Sequence, residues 1–88
     1  MEIVTREQLA SHLVEILNPV VRGLVDSSDA VRITAAGRDT VMVSVDVAPE
    51  DRGQVIGRQG KTAEALRTIV NAVSSKYKMR ALVEVVEG

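Results

Sequence analysis

The chain has 88 residues, which is enough for one domain with a single hydrophobic core and too few for separate substrate-binding and cofactor-binding domains. Its apolar residues make up 45% of the sequence and are almost all aliphatic. Tyr77 is the only aromatic residue among Phe, Tyr and Trp, so a surface on which bases stack against aromatic rings is largely excluded. The sequence has no cysteine, which excludes disulfides, thiol catalysis and thiolate metal sites. It also has no apolar run near the length of a membrane span, so we expect a soluble cytoplasmic protein.

The net charge of −1 conceals an uneven distribution of charge along the chain. Residues 52–80 include seven basic side chains and one acidic side chain, a balance of +6, whereas the rest of the chain has four basic and eleven acidic side chains, a balance of −7. The seven basic residues are Arg52, Arg58, Lys61, Arg67, Lys76, Lys78 and Arg80. This division predicts a basic surface for an anionic partner, although Arg67, Lys76 and Lys78 are equally compatible with the solvated side of a helix.

A helix is the first predicted element. Thr5 followed three residues later by Gln8 fits a capping box, and apolar residues then recur at helical spacing. These apolar residues are Leu9, Leu13, Ile16, Leu17, Val20 and Leu24. Proline lacks the N–H donor and crowds the preceding turn, so Asn18-Pro19 predicts a kink or a break, with Asn18 able to cap a second helical segment.

Two alternating segments follow the polar stretch at 26–29 and predict a pair of strands. Val31, Ile33 and Ala35 alternate with polar residues in the first segment. The second segment has its apolar residues at Val41, Val43, Val45 and Val47. Because the connection at 37–40 is short, we expect the two strands to form an antiparallel hairpin.

The second half of the chain predicts a short helix, a long helix and a last strand. Pro49 begins the short helix with Glu50 and Asp51 in its first turn, and Gly57 ends it. The long helix, at 61–78, has an apolar stripe of Leu66, Ile69, Val70, Val73 and Tyr77. The alternating residues of the last strand are Ala81, Val83 and Val85. The order αββααβ predicts an α+β fold, with the helices packed on one face of a three-stranded sheet.

The loop between these two helices reads Gly57-Arg58-Gln59-Gly60 and is followed by Lys61. Unpaired backbone N–H groups and the positive end of the helix dipole favour an anion at the start of the long helix. The glycines allow unusual backbone angles and let a sugar-phosphate chain approach without meeting a Cβ atom, while Arg58 and Lys61 add positive charge. The loop is therefore a candidate phosphate-binding site. Local rules alone leave open that Gly57 is only a helix C-cap and Gly60 only a turn residue.

This loop, in this order of elements, resembles that of the KH domain, which binds single-stranded nucleic acid and clamps about four nucleotides with a Gly-x-x-Gly loop. The preceding helix and hairpin resemble the type II arrangement, and the resemblance covers residues 6–87. Residues 54–67 (Gln-Val-Ile-Gly-Arg-Gln-Gly-Lys-Thr-Ala-Glu-Ala-Leu-Arg) are similar to the small bacterial stand-alone KH proteins of the KhpA type. Thr62 and Ala63 are smaller than the aliphatic residues that eukaryotic multi-KH proteins often place there, which suggests a shallower groove wall.

The resemblance implies that residues 1–88 form one KH domain that is not an enzyme, holds no cofactor or metal, and binds short single-stranded RNA with broad specificity. It further implies an RNA chaperone or post-transcriptional regulator in the bacterial cytoplasm, linked to control of cell shape and the cell wall. The implied partners besides RNA are a second copy of the chain or a KhpB (Jag-like) RNA-binding protein. The expected RNA-binding residues are Gly57, Arg58, Gln59, Gly60, Lys61, Arg67, Val55 and Ile56. Val55 and Ile56 would form the floor of an apolar groove, unless they belong to the core.

Three other functions are suggested by single features. Gly60-Lys61-Thr62 matches the end of a nucleotide-binding P-loop, but position 55 is valine where that motif has its first glycine. A hydrolase or metal enzyme could use His12, but this is the only histidine, and no second histidine or cysteine exists to complete a zinc site with it. A protein-interaction scaffold with a KH frame and no RNA binding remains open. Such a scaffold would tolerate acidic residues at 58 and 59, whereas an RNA-binding loop would not.

Overall fold

The computed structural model describes residues 2–87 of the chain and is an α+β fold. Its helices and strands follow one another in the predicted order αββααβ. They are α1 (Arg6–Leu24), β1 (Arg32–Ala36), β2 (Thr40–Asp46), α2 (Arg52–Ile56), α3 (Lys61–Lys76) and β3 (Arg80–Val85). Short 3-10 helices at Ser28–Ala30, Pro49–Asp51 and Arg58–Gly60 lie in the connections.

The strands form one sheet in the order β1-β2-β3, so β3 is an edge strand. β1 and β2 pair antiparallel, as predicted, with Ala35 opposite Val43. β2 and β3 pair in parallel, with Val43 opposite Val83, and the parallel pair requires the crossover that α2 and α3 provide. α1 packs against β1 and β2, while α3 packs against β3. The seam between α3 and the outer edge of β3 is therefore at the surface.

The core lies between the helices and one face of the sheet, as the alternation in the strands predicted. The sheet and its ends contribute Val41, Val43, Val45, Val47, Ala81 and Val83 to the core. The helices α1 and α3 contribute Leu9, Leu13, Leu17, Val21, Leu66 and Val70. The residues that alternate with these in β2 and β3 are exposed or half-buried, and Met42 and Leu82 are among the exposed ones. The helices thus cover only one face of the sheet.

α1 begins at the predicted capping box. The Thr5 hydroxyl accepts from the Gln8 backbone N–H at 3.1 Å, and the Gln8 side-chain oxygen accepts from the Thr5 N–H, also at 3.1 Å. The predicted break at Asn18-Pro19 is wrong, because α1 is one helix from Arg6 to Leu24 and Asn18 does not begin a second one. Pro19 is exposed, so water can hydrogen-bond the carbonyl four residues earlier, which lacks a backbone N–H donor because of the proline. Buried residues on both sides of Pro19 hold the helix against the sheet.

The buried stripe of α1 differs from the prediction near its end. Val21 is fully buried, whereas Val20 and Leu24, which were assigned to the stripe, are 38% and 36% exposed. The observed stripe continues in steps of four residues through Leu13 and Leu17, which turns Val21 rather than Val20 toward the sheet.

α3 ends two residues before the predicted end. Tyr77 is the C-cap, and Lys78 has a left-handed backbone with φ of 57°. The Met79 N–H then donates to the Ser74 carbonyl at 3.1 Å, so the chain turns back at once into β3. Ser74 is itself buried and donates its hydroxyl to the Asn71 carbonyl at 3.2 Å.

Asp51 has a structural role that its sequence position does not reveal. Its carboxylate is buried at 1% exposure and accepts from the backbone N–H groups of Asp26 at 3.3 Å and Ser27 at 2.9 Å. These bonds tie the turn after α1 to the start of α2. These contacts, with residues 24 and 25 positions earlier in the chain, therefore help to fix the position of α2 and of the loop that follows it.

Within residues 2–87, none of the helices has the length and apolar character needed to cross a membrane.

Candidate nucleic-acid interface

The loop between α2 and α3 has an unusual backbone conformation. Gly57 has φ 80° and ψ 172°, Gln59 has φ 57° and ψ 28°, and Gly60 has φ 74° and ψ 12°. The Gly57 N–H donates to the Gly53 carbonyl at 2.8 Å and closes α2, and the Gly60 N–H donates to the Gly57 carbonyl at 3.1 Å. Three of the four loop residues thus occupy positive φ, which glycine adopts without strain and other residues rarely do.

The two glycines serve different purposes. A Cβ atom at Gly57 would collide with the Thr62 side chain and would lie 2.8 Å from the Thr62 backbone N, so Gly57 lets the loop pack against the first turn of α3. At Gly60, apart from the glycine itself and the adjacent residues of the chain, no heavy atom in the described part of the chain lies within 4 Å of the position that a Cβ would take. Gly60 therefore faces open space, which is the approach that a backbone ligand needs.

The start of α3 adds backbone donors to this open space. Gly60 is its N-cap residue, and among residues 2–87 no side chain caps the first turn. The Lys61 N–H donates to the Arg58 carbonyl, but the other N–H groups of the first turn have no side-chain cap, and the helix dipole makes an anion the favoured ligand there. Arg58, Gln59 and Lys61 are exposed around the same point, so the structure brings these predicted site residues together.

A cavity of about 270 Å³ adjoins the loop and runs into the seam between α3 and β3. Its lining residues are Ile56, Gly60, Ala63, Arg67, Glu84, Val85 and Glu87. We call it the loop groove. Arg67 lies six residues after Lys61, about 9 Å along α3, so the groove has a cation at its far wall. The structure thus places Ile56, Gly60 and Arg67 on one continuous surface.

The prediction that Val55 forms part of the groove floor is wrong. Its side chain is fully buried in the hydrophobic core, while Ile56 is half-buried and lines the loop groove. In the short helix α2, neighbouring residues point about 100° apart, so only one of the two can face the groove. The floor is completed by Ala63 and Val85 instead.

The strand side of the groove carries acidic residues that the sequence reasoning missed. Glu84 and Glu87 both line it. The alternation of the last strand placed Glu84 away from the core, but nothing in the sequence indicated that β3 would be the edge strand beside the loop. The Ser44 hydroxyl on β2 donates to Glu84 Oε1 at 3.0 Å, which draws that carboxylate over the sheet and away from the outer edge of β3.

The predicted basic surface is divided between the two ends of α3. Arg58 and Lys61 lie at its start, and Lys76 lies fifteen residues beyond Lys61, about 22 Å away. Lys78 follows in the turn to β3, and Arg80 is the first residue of β3. The seven basic residues therefore do not form one patch around the loop, since the length of α3 separates them.

The family comparison agrees with this geometry. The family model described as "KhpA/KhpB, KH domain" matches residues 14–85, which include all three strands, the loop and α3. The chain belongs to the KhpA/KhpB family of KH domains. Both the predicted family and the predicted α+β fold are thereby confirmed.

Curated relatives in this family match most of the chain. A protein named "RNA-binding protein KhpA" from Caldanaerobacter subterraneus subsp. tengcongensis is 41% identical over 73 residues, covering 82% of this chain and 97% of the relative. The Aquifex aeolicus protein of the same name is 41% identical over 78 residues, 88% of this chain and 99% of the relative. The Leifsonia xyli subsp. xyli protein, also of that name, is 46% identical over 65 residues, 73% and 86% of the two chains. No solved structure matches the chain.

The alternative sites have no support in the geometry. His12 packs edge-to-face against Tyr77, with ring centroids 6.1 Å apart and planes at 89°, as a side chain in a helix interface does. Among residues 2–87, no group of three or more His, Cys, Asp or Glu side chains is placed to hold a metal ion. Lys61 and Thr62, which resemble the end of a P-loop, lie in the first turn of α3 behind a loop that the KH family model includes.

Proposed function

We propose that this protein binds short segments of single-stranded RNA by clamping their backbone with the Gly57-Arg58-Gln59-Gly60 loop. The observation that carries the proposal is the open space beside Gly60 at the uncapped start of α3. A phosphate placed there would accept hydrogen bonds from N–H groups of the first turn of α3 that follow Lys61, whose own N–H donates to the Arg58 carbonyl. Arg58 and Lys61 would supply charge on either side of it. The relatives named as RNA-binding proteins make RNA the favoured polyanion.

The bases of the clamped segment would enter the loop groove. Its floor of Ile56, Ala63 and Val85 offers apolar contact. The groove has no aromatic side chain on which a base could stack, so each base contributes little and selectivity is broad. Such a site suits an RNA chaperone or post-transcriptional regulator that acts on many transcripts in a bacterial cytoplasm.

Modest affinity from one small groove would be raised by pairing two sites. A homodimer, or a heterodimer with a KhpB (Jag-like) RNA-binding protein, would place two loops on one RNA and add their binding through effective concentration. The matching family model covers KhpA and KhpB together, which is consistent with partners that share this domain. Any role in cell shape or cell-wall control would follow from the transcripts bound.

The salt dependence of RNA binding tests the proposal. If the loop, Lys61 and Arg67 neutralise about three or four phosphates, the logarithm of the association constant should fall with the logarithm of salt concentration at a slope of about −2 to −3. Fluorescence anisotropy with a labelled unstructured RNA, between low and physiological salt, measures this slope. A slope near zero would contradict electrostatic clamping and favour a protein-binding scaffold on the same frame.

A further inference from the structure

The end of the domain opposite the loop brings three segments of the chain together. They are residues 2–7, which lead into α1, the hairpin connection at 37–39, and the turn at 76–80 from α3 into β3. Thr40 is paired with Arg80, so the connection before β2 and the turn before β3 lie side by side. All three segments line one surface cavity of about 530 Å³, to which they contribute Arg6, Arg38 and Met79 among others. We call this surface the basal patch and define it by its cations, which are Arg6, Arg38, Lys76, Lys78 and Arg80.

The basal patch has an excess of positive charge. All five of its cations are exposed, and the same three segments hold three acidic side chains, which leaves an excess of two. The acidic residues are Glu2, Glu7 and Asp39. The loop, the first turn of α3 and the loop groove have equal numbers of both signs, with Arg58, Lys61 and Arg67 against Glu64, Glu84 and Glu87. The basal patch is therefore the more positive of the two surfaces and the one that attracts a polyanion more strongly.

Helix dipoles account for only part of this charge. Lys76 is in the last turn of α3, where a cation complements the negative end of the dipole. Arg6 is the first residue of α1, where the dipole disfavours a cation. Its Nε donates to the Asp39 carbonyl at 3.3 Å, which joins α1 to the hairpin connection. Arg38 and Arg80 lie outside the helices. The cations converge through the tertiary fold, on a surface that no single helix end explains.

Lys78 has a backbone conformation that lysine rarely adopts. Its φ is 57°, just after the end of α3. Glycine, and less often asparagine, is the usual residue at such a position, because a Cβ atom is strained there. The Lys78 side chain is exposed and lies outside the hydrophobic core, so packing does not offset this strain. A strained residue of this kind points to a function, and the chemical property that Lys78 adds here is positive charge.

We propose that the basal patch is a second contact surface for the RNA backbone, which binds a segment of the strand away from the one that the loop clamps. This inference rests on the proposed function. The length of α3 separates Lys61 at the loop from Lys76 in the patch by about 22 Å. An RNA that contacts both surfaces must therefore be longer than the roughly four nucleotides that a KH loop holds. Contacts with phosphates carry no sequence preference, in agreement with a site of broad selectivity.

An acidic protein surface is the competing occupant of the basal patch. RNA is favoured because one strand can reach both surfaces. Once the loop has clamped part of a strand, the rest of that strand is held near the patch at a high effective concentration, so even weak phosphate contacts add to the affinity. A separate acidic protein has no such advantage.

Anisotropy titrations with labelled unstructured RNA of 5 and 20 nucleotides test this proposal in the double variant Lys78→Asn, Arg80→Gln. The affinity for the 20-nucleotide RNA should fall about fivefold or more, while the affinity for the 5-nucleotide RNA, which the loop determines, should stay the same. Each phosphate contact with a single strand adds about 0.7 to the salt slope, so the slope for the longer RNA should become less steep by about 1.4.

The matched control is Lys78→Arg, Arg80→Lys, which keeps both charges and should keep the affinity for the longer RNA. Asparagine tolerates the left-handed backbone at 78, so thermal melts should show the neutral variant to be as stable as the unaltered protein. Arg58→Asp, Gln59→Asp at the loop should weaken the binding of both RNA lengths.

Unchanged affinity and salt slope for the 20-nucleotide RNA in the neutral variant would refute the basal patch as an RNA surface. Equal losses for the two RNA lengths would also refute it, because these residues would then act through the loop. The same loss in the charge-retaining control would show that charge is not the cause and would likewise overturn the proposal. Absence of binding of either RNA to the unaltered protein would refute the proposed function itself.

Discussion

The two loop glycines should respond differently to substitution by alanine. At both positions alanine must adopt positive φ, which costs about 1–2 kcal/mol at Gly60, where the backbone is left-handed α. Gly57, at φ 80° and ψ 172°, occupies a region that is essentially restricted to glycine and costs about 1–3 kcal/mol. Its added methyl would also press on Thr62, and such overpacking costs typically 1–3 kcal/mol more. We therefore expect losses of about 2–6 kcal/mol for Gly57→Ala and about 1–2 kcal/mol for Gly60→Ala.

RNA binding should be impaired by alanine at Gly60, although this is the substitution that destabilises the fold less. A domain of this size has a stability of about 5–15 kcal/mol, so Gly60→Ala should remain folded. Its methyl would occupy the open space beside the start of α3, and RNA affinity should fall at least tenfold in the folded protein. Gly60→Asn is the matched control for strain, since asparagine tolerates left-handed backbone and still blocks the approach. Urea melts and anisotropy titrations measure the two effects. Equal destabilisation at the two glycines, or full RNA affinity in folded Gly60→Ala and Gly60→Asn, would refute this reasoning.

Two further predictions separate the core from the surface around the groove. Leu66→Ala should lower the free energy of unfolding by about 2–5 kcal/mol because it leaves a cavity in the hydrophobic core. Arg67→Ala should change the free energy of unfolding by no more than about 0.5 kcal/mol and should weaken RNA binding. Melts that rank the two variants the other way would contradict the helical register. Ser44→Ala should release the Glu84 carboxylate and lower RNA affinity about twofold to fivefold. Adding Glu84→Gln to this variant should restore the affinity. An unchanged affinity in Ser44→Ala would mean that Glu84 has no influence on the bound RNA.

The features that local pattern determines were predictable from the sequence. Val41 to Val47 alternate with a period of two, and only one face of a strand can be buried, so the buried face of β2 follows directly. The hairpin follows from the short connection before β2. Glycines at both ends of the loop mark it as an interruption between two helices, which is where the structure has it.

The features that depend on tertiary packing were not predictable from the sequence. Val20 and Val21 both fit a helical stripe, and only the angle at which α1 meets the sheet buries the second of them. Asp51 fits the first turn of a helix, but its partners are backbone groups about 25 residues earlier in the chain. Val55 and Ile56 are equally apolar, and the orientation of α2 decides which one lines the groove. In each case local preference leaves two options and the packing selects one.

The most direct test of the central claim is RNA binding by the double variant Arg58→Asp, Gln59→Asp. Both glycines remain and both altered side chains are exposed, so the melting temperature and circular dichroism should barely change. RNA affinity should fall at least tenfold, because two acidic groups replace a cationic contact beside the phosphates. Arg58→Gln, Gln59→Asn is the matched neutral control and should give an intermediate loss. Unchanged RNA affinity in the folded acidic variant would contradict the assignment of this loop as the binding site.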